Sequence, residues 1–357
     1  MLNFKNLRAR SIFMYFEIEP KGKTEDFFNY KYEYSQLKKA IEKREKITAV
    51  IGVRRVGKTS LLNIAFNETR HMKLWLDGRI VTQPKKEVFA AIFDTVKNGK
   101  PKIFGKIESL NLTAFGVGLG IKLTSDGQAQ IENKIRNAGD VTVFIDEAQR
   151  MDADDLADVL SYAYDRFPKL CFVISGSEIG LLEEILGEND ADHPLYGREI
   201  TRITINRLER NASTDYLIQG FAQLKMKLGE KEIGEAVEEL DGLIGWLTLF
   251  GYERGIKKSK DALERTSKNA ARIAATELTH FLRKSKNKKL YLSILRNANG
   301  TPWEELRTVV SKDIGKRLNP NSFNSAIGRL SVHSFIEKKD QKFHRSDPLL
   351  LKAAFLV

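Results

Sequence analysis

Cysteine is nearly absent from this sequence: Cys171 is the single thiol in 357 residues. One cysteine excludes an intramolecular disulfide and any all-cysteine zinc site. Proline is scarce, with eight residues. No apolar run approaches the ~18–20 residues needed to span a bilayer. The nearest, "LIGWLTLF" at 243–250, is far too short. The first twenty residues carry Lys5, Arg8 and Arg10, then a brief apolar run broken by Glu17. That run is too short for a secretory signal, and no small-residue cleavage site follows, so the expected location is the cytoplasm. Internal repeats and low-complexity tracts are absent. What is present is 42% apolar and 30% charged, the balance of a folded, soluble chain rather than a disordered one. The length leaves room for about two domains.

Charge is unevenly spread. The net charge is +12, yet residues 256–357 alone hold 22 Lys and Arg against 9 Asp and Glu, a net of +13. The remainder sums to about −1. A basic third on an otherwise balanced chain points to a polyanion partner. The competing reading is a solvated basic face.

Continuous apolar, β-branched runs occur at 46–51, 72–77, 141–146, 170–175 and 199–205. Runs of that kind suit strands buried on both faces of a parallel sheet. Helical periodicity lies between them, at 58–67, about 84–97, 127–137 and 152–166, which predicts a doubly wound α/β unit. "FGVGLGIKLTS" at 115–125 contains Gly116, Gly118 and Gly120, and a dinucleotide fingerprint would need a strand before it and a helix opening at its end. No helix opens at its end, so a hairpin or strand is expected there. After Asn206 the strand signals stop and long helical patterns take over. The segment 288–357 reads as three short amphipathic helices and a hairpin, the order of a winged helix-turn-helix.

The strongest motif is "GVRRVGKTS", residues 52–60, behind the strand "KITAVI" and ahead of a helical stripe. A triphosphate needs dense negative charge matched by backbone N–H groups and a helix N-terminus, with no bulky side chain in the way. Gly52, Val53, Arg54, Arg55, Val56, Gly57, Lys58, Thr59 and Ser60 are the candidate nucleotide-binding loop. Lys58 would reach the β- and γ-phosphates, and the Thr59 hydroxyl would ligate Mg²⁺. In "VTVFIDEAQ", Asp146 at a strand end would hold the metal and Glu147 would polarise an attacking water. That second acid favours hydrolysis over transfer to another substrate. "CFVISGS" ends a strand in Ser175 and Ser177, whose hydroxyls are candidates for orienting that water; the alternative is a turn chosen for flexibility. Arg198, just ahead of the last strand, is a candidate for transition-state charge in cis or in trans, or else a surface arginine.

With "GVRRVGKTSLL", "VFIDEAQ", "ISGSEIGLL", "PLYGREI" and "DPLLL" in place, the chain resembles the archaeal ATPase family within the STAND branch of AAA+-like P-loop NTPases, over roughly residues 20–357. The resemblance implies ATP or ADP with Mg²⁺ and a strand inserted between the P-loop strand and the Walker B strand. It implies a core at 1–206 with an N-terminal entry segment, a helical lid at 207–284 and a winged helix at 285–357. By position, Lys58 and Thr59 match the Walker A pair and Asp146 and Glu147 the Walker B pair. Ser175 or Ser177 falls at sensor 1, and Arg198 in the Gly-Arg element. Tyr30 stands where the family's entry motif has arginine, and "LIGWLT" with Trp246 stands where its lid has a Gly-Gly-x-Pro turn.

Two functions stay open. One is a slow, ATP-hydrolysing switch in which nucleotide controls the lid and the winged helix binds a partner. The other is a DNA-binding regulator or replication-initiator-like protein whose ATP site only modulates it. There the 320–330 helix would enter the major groove with Asn321, Ser322, Asn324, Ser325 and Arg329 facing out. The sequence fixes neither the protein partner nor the oligomeric state.

Overall fold

The computed structural model describes residues 15–104, 132–187, 190–283 and 285–357. The Gly-rich stretch at 115–125 lies outside them. Of the helix expected at 127–137, residues 132–136 are described and helical.

Strands β1 (Ile47–Ile51), β2 (Met72–Asp77), β3 (Lys102–Phe104), β4 (Val141–Asp146), β5 (Leu170–Gly176) and β6 (Thr201–Thr204) form one sheet in the order β3-β2-β4-β5-β1-β6. Every pairing is parallel. Strands β1, β4 and β5 are buried along their whole length, which is why their sequences are unbroken apolar runs. Strand β5 sits between β1 and β4, as the resemblance implied. Strand β3 was not expected: three residues are too few for a periodic signal.

Helices α1 (Lys31–Glu42) and α2 (Lys58–Glu68) cover one face of the sheet; α3 (Pro84–Asn98), α4 (Ala153–Arg166) and α5 (Ile179–Leu186) cover the other. Past the sheet come α6 (Arg210–Gln223), α7 (Glu230–Leu240), α8 (Ile244–Gly251), a π-helical turn at Tyr252–Ile256, and α9 (Ala262–Leu282). Helices α6, α7 and α8 share one hydrophobic core with α1 and α2, so the expected boundary at 206/207 is not a break in packing.

A strap at residues 15–21 closes this core. Phe16 is 1% exposed and packs 4.8 Å from Phe221, ring centre to ring centre. A Cβ on Gly220 or Gly251 would lie 2.3 or 2.2 Å from the Phe16 ring, so both glycines make its slot. Tyr216 Oη donates to the Tyr15 carbonyl at 2.9 Å.

The C-terminal part comprises α10 (Lys288–Asn297), β7 (Asn299–Pro302), α11 (Trp303–Asp313), α12 (Pro320–Val332), β8 (Ile336–Lys339), β9 (Lys342–Arg345) and α13 (Leu350–Ala353). Its sheet is antiparallel, in the order β7-β9-β8. This order fits a winged helix-turn-helix with one strand more than the sequence suggested. Helix α9 belongs to two cores: Ala262 and Ala270 pack with α6, α7 and α8, and Ala274, Leu278 and Leu282 with the C-terminal part. Among the described residues no helix is long and apolar enough to cross a membrane.

Candidate functional site

Strand β1 delivers the chain into the 52–57 loop at the carboxyl edge of the sheet, and α2 leaves it. Two glycines are fixed by geometry. A Cβ on Gly52 would lie 2.4 Å from the Ile205 carbonyl oxygen, and Gly57 has φ +101°, where a side chain is strained. Val56 is fully buried beneath the loop. Lys58 Nζ donates to the carbonyls of Gly52 (2.8 Å) and Val53 (2.7 Å). Burial lowers its pKa to about 8, against the pull of Glu147 and Asp146.

The acids lie across from the loop at the end of β4. Thr59 Oγ1 donates to Asp146 Oδ2 at 2.9 Å, and Ser175 Oγ donates to Asp146 Oδ1. Burial raises the Asp146 carboxyl pKa, and these hydroxyl bonds oppose the rise. Glu147 adopts φ +54°. Its Oε2 accepts from Ser177 Oγ (2.8 Å) and from Gln149 Nε2, which also donates to Ser177 Oγ at 3.0 Å. A Cβ on Gly176 would meet Gln149 Oε1 at 3.1 Å and Leu182 at 2.9 Å, so the glycine of Ser-Gly-Ser makes room for Gln149. Both serines thus hold an acid, and Gln149 is a functional candidate not singled out from the sequence. Its signal was its place two residues after Glu147.

Thr59 and Asp146 offer adjacent hard oxygens, a donor set that suits Mg²⁺. Among the described residues no cluster of three His, Cys, Asp or Glu could hold a metal by itself.

A slot of about 230 Å³ opens beside the loop, lined in part by Arg55, Gly57, Lys58, Thr59, Ser60 and Glu147. Pro20, Phe27, Phe28, Tyr216, Ile244 and Leu249 supply its apolar wall. The strap, the entry segment, α6 and α8 therefore build the rest of the slot. Ser60 Oγ accepts from Lys21 N at 3.0 Å and ties the strap to α2. Tyr30, in the place of the expected arginine, is buried and donates from Oη to the Asn206 carbonyl at 2.8 Å. It serves the core rather than the slot. Trp246 is also buried, outside the slot wall.

The Arg54 and Arg55 guanidinium groups are engaged by acids outside the loop. Arg54 pairs with Glu178 at 2.8 Å and donates to the His333 carbonyl at 3.4 Å. Arg55 pairs with Glu277 of α9 at 2.7 Å and with Asp347 at 3.3 Å, and lies 4.1 Å over the Trp246 ring. Trp246 Nε1 donates to the same Asp347 carboxylate at 3.0 Å.

Arg198 is not brought to this site. Strand β6 runs parallel to β1 with Thr201 beside Thr48, so residue 198 precedes the strand at the edge opposite the loop. There it pairs with Asp165 at 2.8 Å. A role in cis is removed by strand direction.

No curated protein matches this chain. The Walker-type ATPase of Pyrococcus abyssi is similar over 96% of this chain and 100% of its own, at 26% identity and a TM-score of 0.76. The Thermotoga maritima RuvB Holliday junction branch migration motor shares 12% identity over 92% of this chain and 96% of its own, with a TM-score of 0.45. A Pyrococcus horikoshii STAND protein with a tetratricopeptide repeat sensor shares 18% over 95% of this chain and 44% of its own, with a TM-score of 0.42. Likeness as low as these last two says nothing about function. A family model described as an ATPase domain predominantly from Archaea matches residues 27–250. With that match over most of the P-loop fold described above, the chain belongs to this predominantly archaeal family of ATPase domains.

Proposed function

We propose that the protein binds Mg²⁺-ATP in the slot beside the 52–60 loop, hydrolyses it slowly, and uses the cycle as a conformational switch. In this reading the chain divides into a core at 1–206, a lid at 207–284 and a winged helix at 285–357. The loop amides, the α2 N-terminus and Lys58 bind the phosphates. Thr59 and Asp146 would hold the metal, which neutralises phosphate charge. Glu147 takes a proton from the attacking water, its carboxylate aimed by Ser177 and Gln149. Arg198, at the far edge, has no part in this subunit's own site; a catalytic role for it would be in trans.

The observation that carries the switch is the pair of loop arginines. Arg54 and Arg55 lie inside the phosphate-binding motif, yet they are ion-paired to Glu277 on the helix leading into the C-terminal part and to Asp347 within it. A nucleotide shifts an equilibrium only by binding its two states unequally. Phosphates arriving at this loop compete with Glu277 and Asp347 for the same guanidinium groups, which gives the two states unequal affinity. Calorimetric titration of the full chain tests the site. Lys58→Ala should abolish ATP binding, and Glu147→Gln should keep binding while turnover stops. Unchanged ATP affinity in Lys58→Ala would sink the nucleotide reading.

A second reading makes the partner duplex DNA. Asn321, Ser322, Asn324, Ser325 and Arg329 on α12 are all exposed, as are Lys338, Lys339 and Lys342 of the β8–β9 hairpin. A groove-reading helix and wing would need such exposure. Neutralising phosphates releases counterions, so duplex binding by the full chain should be steeply salt-sensitive. Absence of binding at low salt leaves a protein partner.

A further inference from the structure

The slot lining outside the phosphate loop includes an acid with one unpaired oxygen. Asp26 lines the slot, at the end of the short turn Thr24–Asp26. Its Oδ1 is shut off from solvent and has no hydrogen-bond partner. A buried acceptor left unpaired is costly, more so when charged, and native proteins leave few of them. Pro20, Phe27, Phe28 and Leu249, which line the same slot, are apolar.

We propose that Asp26 determines base specificity by accepting a hydrogen bond from the 6-amino group of adenine. The inference rests on the reading that the loop end of the slot holds the nucleotide's phosphates. With the phosphates at Lys58 and Thr59, the base is left to the lining that the strap, the entry segment and α8 supply. The donor met there is an exocyclic amine. Guanine in the same seat presents its O6, an acceptor, and two acceptors face to face repel. A purine without the 6-substituent leaves Oδ1 as unpaired as before. A site built around a buried polar group rejects the analogue that fails to satisfy it far more strongly than an apolar pocket rejects a change of size.

The experiment is calorimetric titration of the full chain with ATP, GTP, dATP and purine riboside triphosphate, in the wild type and in Asp26→Asn and Asp26→Ala. The wild type should bind ATP at least ~10-fold tighter than GTP or the purine riboside analogue, with dATP close to ATP. In the variants that preference should collapse to within a few-fold while triphosphate binding persists. Equal wild-type affinity for ATP and the purine riboside analogue overturns the proposal without any variant being needed. A preference that survives in Asp26→Asn and Asp26→Ala also overturns it. So does a loss confined to dATP, which would assign Asp26 to the ribose. All three leave nucleotide binding intact; only loss of every titration, in the wild type as well, would remove the underlying reading together with this one.

Discussion

Lys58 shows how one residue couples affinity and stability to pH with opposite signs. Its ammonium pKa in the folded chain lies near 8, below the ordinary value of 10.5, because burial disfavours the charge. Between these two values the unfolded chain binds the proton more tightly, so stability without ligand should rise with pH from about 8 to 10.5. A triphosphate at the loop favours the charged form, so binding takes up a proton above about pH 8. ATP affinity should therefore weaken there by up to ~10-fold per pH unit. Calorimetry and thermal melts from pH 7 to 9.5 would show the two trends diverge; parallel trends would mean that Lys58 does not meet the phosphates. The loop itself was legible in the sequence, because its demands are local: a glycine at positive φ, a lysine, a hydroxyl and the strand ahead. What Arg54 and Arg55 do was not legible. Their partners Glu178, Glu277 and Asp347 lie far off in the chain, and no spacing rule reports them.

Among the elements, the strap at 15–21 illustrates a dependence of the site on packing some distance from its chemistry. Phe16 anchors it between α6 and α8, and the next residues line the slot. Phe16→Ala should cost about 3–5 kcal/mol in a denaturant titration, the range for a buried phenylalanine. The truncation should also weaken ATP binding through the strap; a destabilised protein with unchanged affinity would separate the strap from the site. Strands β1, β2, β4 and β5 and helices α2, α3 and α4 fall within a residue of where periodicity put them; in β1, β4 and β5 both-face burial writes itself into continuous apolar runs. Arg198 went astray for an equally physical reason. Ligands in parallel sheets gather where strands end, and a residue that precedes its strand lies at the other edge. The motif carried the residue type; the strand direction decided the place.

Across the whole molecule, the contacts of Arg54 and Arg55 join four segments distant in sequence: the loop, Glu178, Glu277 and Asp347. Asp347 also receives Trp246, so its removal should loosen the C-terminal part and free the loop together. Asp347→Asn should lower the unfolding temperature and raise apparent ATP affinity by ~5-fold or more, the lower range of measured couplings between sites. Lower stability with unchanged affinity would make the contact purely structural. Helix α9 sets the scale of what such release can deliver. Its 21 residues span roughly 30 Å at the rise of an α-helix. One end is packed with α6, α7 and α8 and the other into the C-terminal part. A helix seated in two cores would act as a lever: a tilt of only about 5° at the first end displaces the other by ~2–3 Å. Added to the 3.3 Å that separates Arg55 from Asp347, such a displacement carries a pair past hydrogen-bonding distance, so a small rotation would suffice to part them.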